Sequence, residues 1–129
     1  MKRRAVLLAP AVAVAVALAV WLWWPSGSSA SVQQATGKRY QVRLTVPDPR
    51  LGGNTLTLEL APSKADSVTV DPVMPQMGHA LAPVPASPAG PGRYQAETTL
   101  PMTGQWEITV VVHDQSGADQ IVFPLLVRG

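Results

Sequence analysis

From Tyr40 onward, apolar and polar residues alternate along the chain. Tyr40, Val42, Leu44 and Val46 fall on one face, with Gln41, Arg43 and Thr45 between them. Leu56, Leu58 and Leu60 alternate with Thr55, Thr57 and Glu59, and Val68 and Val70 with Ser67, Thr69 and Asp71. Three more rows follow: Tyr94, Ala96 and Leu100; then Trp106, Ile108, Val110 and Val112; then Ile121, Phe123, Leu125 and Val127. Successive side chains of a strand point to opposite faces, so a period of two marks strands with one face in a core and one in water. Turn formers separate the rows at Pro47-Asp48-Pro49, Gly52-Gly53-Asn54, Pro62-Ser63, Gly90-Pro91-Gly92 and Asp114 to Gly117. The pattern predicts six or seven short strands and no helical period. That is an all-β fold, an immunoglobulin-like antiparallel β-sandwich over residues 37–129. The last row also carries Val122 and Leu126 on its second face, as a central or partner-covered strand would, whereas Pro124 argues for an edge.

Upstream the pattern changes twice. Residues 25–36, PSGSSASVQQAT, are small and polar without apolar period and read as a flexible linker. Residues 1–24 read as an N-terminal membrane anchor or signal peptide. Met1-Lys2-Arg3-Arg4 is a positive leader, and 19 of the 20 residues from Ala5 to Trp24 are apolar, Pro10 being the exception. Twenty residues suffice for a helix across a ~30 Å hydrocarbon core. The terminal Trp21-Leu22-Trp23-Trp24 suits a membrane–water interface. Ser28-Ser29-Ala30 supplies the small residues that cleavage before Ser31 needs, so retention and cleavage both stay open. In either case the basic tip stays cytoplasmic and the domain lies outside; in a bacterial host that is the periplasmic or outer face of the cytoplasmic membrane, or the periplasm after cleavage.

Composition sharpens this division. The chain has 129 residues and is 47% apolar, yet from Pro25 onward only 40 of 105 residues are apolar, which is ordinary for a soluble domain. Removing Lys2, Arg3 and Arg4 leaves seven basic against eight acidic residues, so the basic character belongs to the N-terminal tip. No polybasic footprint for nucleic acid remains. The chain has no cysteine, which excludes disulfides, thiol catalysis and Cys-ligated zinc or iron–sulfur sites.

The unusual chemistry lies in Met74-Pro75-Gln76-Met77-Gly78-His79, followed later by Met102. Thioether sulfur is a soft ligand and imidazole a borderline one, so Met74, Met77, His79 and Met102 together suit Cu(I) better than Mg, Ca or Mn. A plainer reading stands beside this one. Met74 continues the inward row of Val68 and Val70, and Met102 that of Tyr94, Ala96 and Leu100, so both fit as core fillers. A loop histidine such as His79 is commonly just solvated. The residues share a site only if the Pro/Gly-rich connection 80–92 crosses a strand length of ~20–25 Å. A tight hairpin would put Met102 at the opposite end from His79. His113 beside Asp114 reads as a solvated turn pair, not a catalytic one.

Taken together, Met74-Pro-Gln-Met77-Gly78-His79, Gly92-Arg-Tyr94-Gln-Ala96 and Leu100-Pro-Met102-Thr-Gly104-Gln-Trp106-Glu-Ile108-Thr-Val110 resemble the YtkA-like domain over about residues 38–128. That family is similar to the FixH proteins of bacterial respiratory-oxidase clusters, a looser match that also has one N-terminal membrane helix. The resemblance implies an extracytoplasmic immunoglobulin-like sandwich and a role in copper handling or cuproenzyme assembly. It carries the ligand role onto Met74, Met77, His79 and Met102, and structural roles onto Gly78, Gly104 and Trp106. The expected partners are the cytoplasmic membrane and a cuproenzyme or copper-transport protein. The alternative is a non-metal accessory domain that binds a membrane or periplasmic protein. An enzyme is not expected: no G-x-S-x-G, H-E-x-x-H, phosphate loop or paired-carboxylate motif is present.

Overall fold

The computed structural model describes residues 30–129. The anchor or signal segment expected over residues 1–24 lies outside the described residues. Ten strands form in chain order: β1 (Ser31–Thr36), β2 (Gln41–Val46), β3 (Gly52–Ala61), β4 (Ser67–Met74), β5 (His79–Ala80), β6 (Val84–Pro85), β7 (Ser87–Gly90), β8 (Arg93–Leu100), β9 (Gly104–Asp114) and β10 (Gly117–Val127). A 3-10 turn, Pro75–Met77, follows β4.

The strands make two antiparallel sheets. One has the order β1-β2-β3-β8-β7, the other β10-β9-β4-β5, with β6 also pairing on β4. The alternating rows fill the space between them. Val42, Leu44, Leu56 and Leu58 from one sheet meet Val68, Val70, Trp106, Ile108 and Phe123 from the other, all essentially inaccessible to water. Burial of this apolar surface is the main stabilising term, at roughly 1.5–3 kcal/mol for each large side chain.

Three expectations change. Residues 31–36, read as linker, are an edge strand paired with β2 from Ser31↔Val46 to Thr36↔Gln41. Their pattern is weak because backbone hydrogen bonds to a neighbouring strand hold them, with only Ala35 packing on the core. Gly52-Gly53-Asn54, read as a turn, opens β3 instead. The turn is made just before it, where the buried Asn54 amide takes the Arg50 N–H at 3.1 Å and donates to the carbonyls of Arg50 and Gly52. The strands number ten, not six or seven, because β1 and three short pieces within residues 79–90 add to the six rows. The last strand, β10, is an edge, as Pro124 argued, with Val122 and Leu126 about half exposed.

The connection between β4 and β8 changes sheets. After the 3-10 turn it runs back along β4, pairing Met74↔His79, Val73↔Ala80, Val70↔Val84 and Thr69↔Pro85. It then leaves β4 to pair as β7 with β8. The crossing that the cluster requires is therefore made. The registers Ser31↔Val46, Gly52↔Leu100, Val73↔Glu107 and Val127↔Gly104 put one end of each of β1, β2, β3, β4, β8, β9 and β10 at one pole of the sandwich, with Met74 beyond Val73 and Met102 between β8 and β9. Thr36, Gln41, Ala61, Ser67, Arg93, Asp114 and Gly117 mark the opposite pole.

Candidate functional site

Met74 ends β4 in the inward phase set by Val68 and Val70 and is 3% exposed. Its Cε lies 3.3 Å from where a Cβ would stand on Gly104, so the missing side chain at the start of β9 makes room for the thioether methyl. Gly104 also holds φ at +127°, a backbone conformation that side-chain-bearing residues rarely adopt. Pro75 is suited to the first position of the 3-10 turn, and Gly78 closes it in the left-handed conformation (φ +59°), donating its N–H to the Pro75 carbonyl at 3.1 Å. Met77 projects from that turn and is 66% exposed.

His79 then opens β5 opposite Met74, half-buried. Its ring meets the indole of Trp106 edge-on, with centroids 6.2 Å apart and planes at 79°. Such T-shaped contacts are worth ~0.5–1.5 kcal/mol beyond area burial. Trp106 is fully buried, and its Nε1–H donates to the Met102 carbonyl oxygen at 3.0 Å. Met102 is half-buried and packs against the core. One tryptophan thus contacts both the histidine ring and the methionine turn.

The four residues singled out from the sequence therefore share one pole, at different depths. Met77 is exposed, His79 and Met102 are half-buried, and Met74 packs in the core. Among the described residues, no three His, Cys, Asp or Glu side chains converge in a way that suits a metal ion. A metal held at this pole would rely on thioethers beside one imidazole, a donor set for a soft ion.

The opposite pole carries a carboxylate clamp that the sequence reading passed over. Asp119 is 1% exposed and accepts the backbone N–H groups of Lys38, Arg39 and Tyr40, each at 2.9 Å. This ties the β1–β2 turn to β10. Burial acts to raise its pKa, but the three backbone donors and the Arg39 guanidinium outweigh burial and hold it below the ordinary carboxylate value. Beside it the Tyr40 hydroxyl donates to the Lys64 carbonyl at 2.6 Å and to Asp114 at 3.0 Å. Burial, then the Asp114 carboxylate, push the phenol pKa up. Asp114 also pairs with Arg39 at 2.9 Å and accepts the Ser116 N–H at 2.8 Å, while His113 is exposed. A signal for the clamp was present. Stepping the inward row Val127, Leu125, Phe123, Ile121 back by two lands on Asp119, a carboxylate aimed into the core.

Fold and site together define a two-sheet antiparallel β-sandwich with a Met/His cluster at one pole. The family profile that matches is YtkA-like, over residues 34–111, and the chain belongs to that family. The match begins within β1 and ends within β9, so it includes Met74, Met77, His79, Met102 and Trp106. A search of curated proteins finds no match. One solved structure, a crystal structure of an engineered protein, is similar at 14% identity with a TM-score of 0.54. The likeness covers 74% of this chain and 20% of that one, so the chain spans about a fifth of that protein's length. It shows the fold alone.

Proposed function

We propose that this chain is a membrane-tethered, extracytoplasmic module that binds copper as Cu(I) and serves copper handling or the assembly of a cuproenzyme such as a respiratory oxidase. The sandwich is of immunoglobulin-like type in this reading, and the apolar run at 5–24 is its anchor. The observation that carries the proposal is the crossing of the 80–92 connection, after which β8 runs back and brings Met102 to the pole of Met74, Met77 and His79. Met77, exposed, and His79, half-buried, act as donors from the turn after β4. Met102 and then Met74 complete the set from the core side, with Trp106 fixing the position of the His79 ring and the Met102 turn. Soft sulfur donors without thiols suit a Cu(I) carrier outside the cytoplasm, where free cysteines oxidise.

The test is anaerobic titration of the purified chain with Cu(I) against a competing chelator. One Cu(I) per chain is expected, and Met77→Ala combined with His79→Ala is expected to lose it. Unchanged affinity in the double variant would sink the site and leave a non-metal accessory domain as the better reading.

A further inference from the structure

The Met/His pole is also the pole at which the chain enters the sandwich, since Ser31 pairs with Val46 at the start of β1. Only residues 25–29 separate Trp24, the last residue of the apolar run, from Ala30. At ~3.6 Å per residue that stretch keeps Ala30 within about 22 Å of Trp24, whatever its conformation.

The exposed apolar side chains gather at the same pole. Of the five large exposed hydrophobics among the described residues, Val32, Leu51, Met77 and Leu126 lie at or next to the strand ends there, and Val122 lies further along its strand. Ala30, Leu51 and Leu126 line one open groove with Arg50 and Arg128, and Asp48, 3.8 Å from the Arg50 guanidinium in an exposed ion pair, completes its rim. The opposite pole is polar, carrying Lys38, Arg39, Lys64, Asp66, Arg93 and Gln115. The larger exposed apolar side chains are therefore concentrated toward the end at the short tether, among the charged groups of Asp48, Arg50 and Arg128. An isolated exposed leucine needs no explanation, but apolar residues collected at one end, rimmed by arginines, mark an interaction surface.

We infer that this pole rests on the lipid surface. Leu51 and Leu126 enter the headgroup region, Arg50 and Arg128 meet lipid phosphates, and the Met77–His79 turn is held at the membrane face. The inference rests on the anchor reading of residues 5–24 and adds an orientation to it. A copper ion carried at this pole would be exchanged at the membrane surface, with a donor or acceptor site that opens there.

Because the chain has no cysteine, single cysteines can be introduced and labelled at chosen sites. The full chain, reconstituted in phosphatidylcholine vesicles containing phosphatidylglycerol, would carry a fluorophore at Leu51→Cys or Gln76→Cys, or at Lys64→Cys or Gln115→Cys. A headgroup-attached quencher is expected to quench the first pair several-fold more than the second. Adding Leu126→Glu to Leu51→Glu should remove the excess quenching at Gln76→Cys. Equal quenching at both poles would overturn the orientation. Protection that rises with protein concentration and ignores the lipid quencher would assign the patch to a second copy of the chain and overturn it too. A full chain that fails to sediment with the vesicles would overturn the anchor reading and this inference together. Cu(I) titration in detergent is independent of these readouts, so a failed copper site with intact asymmetric quenching would leave the orientation standing.

Discussion

The indole N–H of Trp106 donates to the carbonyl oxygen of Met102 at 3.0 Å, closing the turn between β8 and β9 onto the buried ring. That bond makes a core residue the support of a candidate ligand. Trp106→Phe keeps an apolar ring but removes the donor and leaves the Met102 carbonyl with one partner fewer. The expected loss is about 2–4 kcal/mol, from reduced volume and the missing hydrogen bond. Urea denaturation measures the loss, and weaker Cu(I) binding by the folded variant would report the freed Met102 turn. Full stability in Trp106→Phe would show that the bond contributes nothing.

Gly104→Ala places a methyl group 3.3 Å from the Met74 Cε at a φ of +127°. Strain and displacement of the thioether together are expected to cost on the order of 1–3 kcal/mol. Combining it with Met74→Ala, which opens the space, should recover part of that cost, a coupling that a double-mutant cycle reads directly. Strict additivity would mean that the two residues do not interact.

Met77 and Met74 should separate stability from metal binding. Met77 is exposed, so Met77→Ala is expected to change stability by less than about 0.5 kcal/mol while weakening Cu(I) binding. Met74 is buried, so Met74→Ala should cost ~2–5 kcal/mol as a core cavity. Thermal unfolding of the two apo variants tests the contrast, and a strongly destabilised Met77→Ala would contradict it.

Asp119 sets an acid limit to stability. Its carboxyl pKa is lower in the folded chain than the ordinary value near 4, because three backbone N–H donors and Arg39 outweigh burial. A group depressed in this way stabilises the fold above its unfolded pKa, and the contribution is lost as pH falls through the folded value. The wild-type denaturation midpoint should therefore hold from neutrality to about pH 4 and fall below it. Asp119→Asn keeps one acceptor oxygen but not the charge. It should lower stability at neutral pH by on the order of 2–4 kcal/mol and flatten the acid decline. An unchanged acid profile would assign the decline to other carboxyls.

Gly37 tests the same clamp from the other side. A Cβ there would stand 2.5 Å from Asp119 Oδ1, closer than atoms approach without something shifting. Gly37→Ala is expected to destabilise by about 1–3 kcal/mol through displaced hydrogen bonds. A neutral result, with amide exchange at Lys38 and Tyr40 unaltered, would show that the turn relaxes freely.

The period-two rows determined most of the core. Val42 to Val46, Leu56 to Leu60, Val68 to Val70, Trp106 to Val112 and Ile121 to Val127 are strands whose expected faces are buried, because the alternation of a strand is local geometry. The separation of poles was not local. Ser31–Thr36 becomes a strand only because the edge of β2 supplies its hydrogen bonds, and no apolar rhythm announces that. His79 meets Trp106, 27 positions later, only because the 75–92 connection folds back along β4. Spacing named Met74, Met77, His79 and Met102. Chain continuity keeps the first three together, but tertiary pairing alone brought Met102 to their end, next to the place where the chain enters, because contacts between distant segments are set by which strands pair and not by the residues that lie between them.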